Sequence, residues 1–291
     1  MEKGDFLDIG DNDPDATPVK QDMTITELLN KYLKEETPKK AKGNTDEVRA
    51  RAVKKALGAF SMHTLTSARI TQYKRDRLLV RAPQTVLHEL NILHRAYVVA
   101  SEEWGVKLNR PIPKTSKPEL PPGRSNRIPP DVVTKIIQGS GSAEMSGIIT
   151  LAVETAMRRG ELLNLKVEDI NFERKSLYIP RTKTDTPRTI PLTTEALKVL
   201  KAYKDQESGP VFTLAAYSVS QAFRRAVKRI EMPQLRFHDL RHEAISRLFE
   251  KGLNVIEVSR ISGHKTLSQL DRYTHLDVSN LGKKLRSRKA T

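Results

Sequence analysis

Residues 235–275 read LRFHDLRHEAISRLFEKGLNVIEVSRISGHKTLSQLDRYTH. Within that stretch fall His238, Arg241, His264 and Tyr273. An arginine holds anionic oxygens bidentately, a histidine donates or relays a proton, and a tyrosine oxygen can form a covalent phosphoester. Cations and donors set beside a phenol are what attack on a phosphodiester requires. The spacing also predicts structure. His238 and Arg241 are three apart and share one face at a helix start, where backbone N–H groups favour phosphate. The predicted helices run over 238–251 and 255–262, and Gly252 and Gly263 stand where each should stop. On its own, Tyr273 reads equally as an interface aromatic, and His264 as a cap.

Upstream, the stretch 143–157 is almost wholly apolar and predicts a buried helix running directly into Arg158-Arg159-Gly160-Glu161. Two arginines at the end of a buried helix are costly unless something anionic meets them, and Glu161 is one candidate. Short strands are expected over 166–170, 176–179 and 188–192. The last two flank PRTKTDTP, a polar turn presenting Lys183 near the tip of a hairpin. Helices are expected again over 131–139, 194–203 and 218–230.

The first half predicts a separate helical domain. Thr24 followed by Glu27 is a capping box for TITELLNKYL. A second helix is expected over 46–60 with Val48, Val53, Leu57 and Phe60 inward. A third starts near Thr66, and a fourth runs from Pro83 to Trp104 with Val86, Leu90, Leu93, Tyr97 and Ala100 inward. Residues 1–21 form a flexible acidic arm, 22–106 the helical domain, 107–127 a basic proline-rich linker, 128–282 the second domain and 283–291 a basic tail. Seven prolines between Gly105 and Pro130 mark the connector as extended.

Charge indicates the partner. Of 291 residues, 51 are Lys or Arg and 35 Asp or Glu, giving a net charge of +16, which points to a polyanion such as nucleic acid. Lys39, Lys40, Arg49, Lys74, Arg75, Arg124 and Arg127 are candidate phosphate contacts, informative as a set. The absence of cysteine removes thiolate catalysis and Cys-based zinc sites and fits a reducing compartment. No run reaches the roughly 18 apolar residues of a membrane span, and the acidic start has no apolar signal region. The expected location is the cytosol of a bacterium, close to its nucleoid, with no membrane partner.

Taken together, TAMRRGELLNL, PRTKTDTPRTIPL, LRFHDLRHEAISRLFEKGLN and VSRISGHKTLSQLDRYTHL resemble a tyrosine recombinase of the phage integrase family. The wording is nearest that of phage or plasmid integrases and shufflon-type DNA invertases. The resemblance covers residues 127–280, and more loosely the helical first domain. It implies a mainly α fold with a small β-sheet, in two domains: a helical, SAM-like core-binding domain and a mixed α/β catalytic domain. It implies site-specific strand cleavage and rejoining through a 3′-phosphotyrosyl intermediate. Tyr273 would be the nucleophile and Arg158 and Arg241 the phosphate clamp. Lys183 would be the leaving-group acid, His264 a donor to a non-bridging oxygen and His238 the helper of proton transfer at the tyrosine. Glu161 would orient these side chains. No cofactor and no metal are implied. The partners would be double-stranded DNA and further copies of the chain, a dimer per site and a tetramer in the synapse, with accessory DNA-bending proteins as a further option. Two departures stand out: Ala156, where the family often has glycine, and Glu243-Ala244, where a hydroxyl residue is common. A type IB topoisomerase shares the phosphotyrosine chemistry, and a DNA-binding regulator would keep the fold without it. The presence of all six active positions favours recombination.

Overall fold

The computed structural model describes residues 22–39, 44–121, 127–180 and 187–273. The acidic arm 1–21, Lys40, Arg124, Lys183 and the basic tail 283–291 lie outside the described residues. The chain divides into two units, Met1–Pro122 and Gly123–Thr291. The second unit thus begins inside the stretch expected to be a connector.

The first unit is built from α1 (Ile25–Glu35), α2 (Asn44–Leu57), α3 (Ser67–Leu78) and α4 (Pro83–Glu102). The Thr24 hydroxyl accepts from the Glu27 N–H at 3.2 Å, and the Glu27 carboxylate accepts from the Thr24 N–H at 2.8 Å, so the capping box forms. Thr66 caps α3, and Pro83 opens α4, where its missing N–H costs nothing. The core joins Leu28, Leu29 and Tyr32 of α1 to Val53 of α2 and Leu93, Ala96 and Tyr97 of α4. Val48 is a correction: it is 63% exposed, and Ala50 takes the inward position on α2. The basic stretch after α4 also departs from expectation, because much of it is fastened to this unit. Arg110 donates to the Leu65 carbonyl at 2.7 Å, the Lys114 N–H to the Ser67 hydroxyl at 3.1 Å, and Lys74 to the Ser116 hydroxyl at 2.7 Å. The hydroxyls and the amine of α3 supply partners to an extended segment that has few of its own.

The second unit contains α5 (Pro130–Gln138), α6 (Ala143–Thr155), α7 (Arg159–Leu163), α8 (Thr194–Leu200), α9 (Ala216–Arg229), α10 (Phe237–Glu250) and α11 (Val255–Ser262). Three antiparallel strands, β1 (Ile170–Asn171), β2 (Ser176–Ile179) and β3 (Arg188–Pro191), lie in the order β1-β2-β3, with Leu177 opposite Ile190. Residues 167–169, expected in a strand, form a single 3₁₀ turn. Helix α6 is apolar on nearly every side because it is the central element, packed against α10, α8 and α5.

That helix does not run on into the arginines as expected. It stops at Thr155, and Ala156 adopts a left-handed conformation with φ 54°. Arg158 is extended and begins the separate helix α7 as its N-cap. A left-handed residue with a Cβ costs about 1–2 kcal/mol, which explains why glycine suits this position. The turn redirects the chain, so Arg158 leaves the axis of the buried helix and reaches the loop after α11.

Candidate active site

Arg241 anchors the site. It lies in the second turn of α10 and is 3% exposed. Its Nη1 donates to the Ala156 carbonyl at 2.5 Å and its Nη2 to the Ser262 carbonyl at 2.7 Å. Burial, and next the neighbouring Arg158, push its pKa down to about 10, so it remains a cation at neutral pH. A buried guanidinium held by two carbonyls and, among the described residues, by no carboxylate is a strong demand for an anion.

Arg158 points to the same turn. Its Nη2 donates to the Gly263 carbonyl at 3.2 Å and its Nη1 to Glu161 at 3.0 Å. Both arginines therefore grip successive carbonyls, Ser262 and Gly263, immediately before His264. Gly263 is left-handed with φ 71°, and a Cβ there would stand 2.8 Å from the Arg188 guanidinium, so glycine is required for conformation and for space.

His264 is fixed through its Nδ1, which lies 2.7 Å from the Ser262 hydroxyl. That hydroxyl donates onward to the Val258 carbonyl at 2.6 Å, so it accepts from the imidazole N–H. Burial and then Arg241 and Arg158 lower the His264 pKa to about 4. A phosphate lodged against the two arginines acts in the opposite direction and favours the imidazolium, whose Nε2 then donates.

Glu161 is buried and oriented from three sides. It accepts from the Arg158 N–H at 2.9 Å and from Arg188 at 3.1 and 2.8 Å. Burial alone would raise its pKa, but the Arg188 and Arg158 bonds outweigh it and the net shift is downward. Arg188 also donates from Nε to the Ile261 carbonyl at 3.0 Å. It therefore ties β3 to Glu161 and to the end of α11. Sequence reading missed Arg188, although a signal existed. On β3 it shares a face with the buried Ile190, because strand side chains alternate. A charge on the inward face of a strand needs a partner.

Tyr273 lies on a 3₁₀ turn, Asp271–Tyr273, and packs against the cluster of Ala156, Ala244, Ile245, Val258 and Leu270. Burial raises its pKa, opposed by Arg272 and Arg241. The phenol is hydrogen-bonded to Nδ1 of His242. His242 is the other side chain that sequence reading passed over. The ring of His238, one helical turn earlier, meets it edge-on with centroids 4.8 Å apart. Burial and then Arg241 lower the His238 pKa.

Glu243, the second departure from the family wording, is also buried. It accepts from Arg127 Nε at 2.8 Å, Arg247 Nε at 2.8 Å and the Ile128 N–H at 2.9 Å, and so binds the start of this unit to α10. Arg127, expected on DNA, is thus engaged by Glu243 and also by Glu250 at 2.6 Å. Of the other expected contacts, Lys39 pairs with Glu36 at 2.5 Å, Arg49 pairs with Asp46 at 3.0 Å, Lys74 is bonded to Ser116 and Arg75 is exposed. Lys183 lies outside the described residues.

Residues 126–280 match the phage integrase family. The chain is 34% identical over 279 residues to the shufflon-specific DNA recombinase of Escherichia coli, covering 92% of this chain and 73% of that protein. It is 30% identical over 273 residues to a putative integrase/recombinase of Haemophilus influenzae, covering 88% of this chain and 87% of that one. Among solved structures, the Tn1549 transposon integrase in complex with circular intermediate DNA shares the fold with a TM-score of 0.75. Its identity is 16%, over 90% of this chain and 99% of that one. A lambda integrase dimer bound to a COC′ core site matches with a TM-score of 0.69 at 24% identity, over 85% of this chain and 97% of that one.

Proposed function

Because the chain belongs to the phage integrase family and is a site-specific DNA recombinase working through a tyrosine, we propose that Tyr273 is its nucleophile and that Arg158, Arg241 and His264 form the seat for the scissile phosphate. The observation that carries this reading is the convergence of both arginines on the Ser262 and Gly263 carbonyls, one turn of chain that ends at His264. Arg158 and Arg241 hold the non-bridging oxygens and stabilise the charge that grows on them in the transition state. His264 donates to one of those oxygens. Lys183 protonates the 5′-oxygen as it leaves, while Tyr273 keeps the 3′-phosphate. Glu161 fixes the Arg158 side chain. The phosphodiester bond energy is conserved in the phosphotyrosine, so rejoining to a new 5′-hydroxyl needs no fuel.

Double-stranded DNA is the substrate. Helix α9 offers a surface for it: Ala216–Arg229 contains no acidic residue, and Arg224, Arg225 and Lys228 are exposed alongside Tyr217. Arg159 donates to the Ser220 hydroxyl and thereby joins α9 to α7, next to Arg158. Phosphate contacts of this kind position a duplex without reading its sequence. Two copies per site and four in the synapse complete the assembly, in keeping with the dimeric lambda complex.

The test uses nicked suicide duplexes tiling the DNA on either side of the gene. The wild-type chain should form an SDS-stable DNA adduct with one of them, and the attached residue should map to Tyr273. Tyr273→Phe should bind that duplex and form no adduct. An adduct formed by the Phe variant, or one mapping to another residue, would overturn the assignment.

A further inference from the structure

We infer that His242 is the base that receives the phenolic proton of Tyr273 as its oxygen attacks the scissile phosphate. This rests on the proposed role of Tyr273 and adds the group that makes the phenol reactive. The observation is direct: the hydroxyl of Tyr273 meets Nδ1 of His242. In the neutral tautomer with the ring proton on Nε2, Nδ1 carries a lone pair and the hydroxyl donates to it. The two rings are tilted by 32° with centroids 5.8 Å apart, which leaves the hydrogen bond in reach without stacking.

His242 is held in place from several sides. It follows Arg241 on α10, and its ring faces the edge of His238. Arg272 lies over the phenol, with Cζ 6.0 Å from the centroid of the Tyr273 ring. The charged and titratable groups around His242 are His238, Arg241, Arg272, Asp239, His264 and Tyr273 itself. Cations dominate, and Asp239 acts the other way. Burial, with His238 and Arg272 next, lowers the His242 pKa to about 4, so the imidazole is neutral and able to accept.

The same balance makes the base responsive to substrate. Without DNA, His242 is a weak base and Tyr273 keeps its proton. A phosphodiester lodged against Arg158 and Arg241 brings a negative charge beside the cations that disfavour imidazolium. The basicity of His242 rises when the phosphorus is in place for attack. In that step the Tyr273 O–H bond breaks and the proton moves to Nδ1 of His242. The Oη–P bond forms, the P–O5′ bond breaks, and O5′ takes a proton from Lys183. In rejoining, the incoming 5′-hydroxyl gives its proton to Lys183, and the His242 imidazolium returns its own to Oη.

The test compares His242→Asn with the wild-type chain in single-turnover adduct formation on saturating suicide duplex. Asparagine offers an oxygen near Nδ1 that accepts a hydrogen bond and cannot take a proton. Adduct formation should slow by about 100-fold, with DNA affinity and melting temperature retained. A second pair of proteins carries a fluorinated tyrosine of lower phenol pKa at position 273. There the penalty of His242→Asn should shrink to under about tenfold, because such a phenol ionises without a base. An Asn variant within about threefold of wild type would overturn the inference. An equal penalty with both phenols would also overturn it, since it would mean that His242 only places the ring. Either failure leaves the wild-type adduct at Tyr273, and with it the proposed function, intact.

Discussion

Replacing Arg188 by methionine keeps most of the side chain's length and removes its charge and its three hydrogen bonds. Two of those bonds go to Glu161 at 3.1 and 2.8 Å and the third to the Ile261 carbonyl at 3.0 Å. The side chains of Arg188 and Glu161 are 9% and 3% exposed, so the small energies of surface ion pairs do not apply. Removing one partner of a buried pair costs about 3–5 kcal/mol. Glu161 would keep the N–H and Nη1 of Arg158, which places the expected loss near the bottom of that range, about 3 kcal/mol. For a unit the size of residues 123–291, each kcal/mol moves the melting temperature by about 2–4 °C, giving a fall of about 6–12 °C. Scanning calorimetry of the full chain measures it. Arg188→Lys should fall in between, because one ammonium cannot grip both carboxylate oxygens and the carbonyl. Combining Arg188→Met with Glu161→Gln should cost at least about 1 kcal/mol less than the sum of the two, since a neutral amide no longer needs the cation. The pH dependence has a definite sign. The folded pKa of Glu161 lies below the ordinary 4.5, so its contribution is full above that value and is lost as pH falls through the folded pKa. Without Arg188, burial acts with less opposition, and the loss should begin at a higher pH. A melting temperature within about 2 °C of wild type, or strict additivity with Glu161→Gln, would refute this account of the pair.

Two further outcomes are expected. Lys183→Ala should slow cleavage on ordinary DNA and recover on a substrate with a 5′-bridging sulfur, whose leaving group needs no acid; failure to recover at ordinary DNA affinity would remove Lys183 from that role. The DNA-free chain should lose thermal stability between pH 6.5 and about 4, because His264 is held neutral in the fold, with a pKa of about 4 against 6.5, and its contribution is lost as pH falls. His264→Asn should flatten part of that slope, and an unchanged slope would show that His264 does not cause it.

Much of this molecule was legible in its sequence because the signals were local. The capping box at Thr24, the proline at the start of α4, Gly252 and Gly263 after their helices, and the alternation of β2 and β3 each declare themselves within a few residues. The unexpected features arise where distant segments meet. Apolar periodicity carried α6 through to Met157, and nothing within 143–157 marks a stop. The left-handed turn at Ala156 has its reason 85 residues away, in the Arg241 guanidinium that takes its carbonyl. Val48 is the inward position expected on α2, and the packing of α1 and α4 buries Ala50 instead.

The two histidines of α10 make the same point about the site. His238 and His242 are one turn apart on one helix face, so local geometry gives them equal standing. Motif resemblance favoured His238 as the helper of Tyr273. Which imidazole meets the phenol is decided by the path of the chain from α11 to the turn at Asp271–Tyr273, packed on Ala244, Ile245 and Val258. That path brings Tyr273 to His242, 31 residues earlier in the chain. His238 stands beside the His242 ring in a T-shaped contact, with centroids 4.8 Å apart. The meeting of His242 and Tyr273 exists only once α10, α11 and the final turn have packed together. The position of the proposed nucleophile is therefore set by that packed cluster, and substitutions at Ala244 or Val258 should be felt at Tyr273 through its placement.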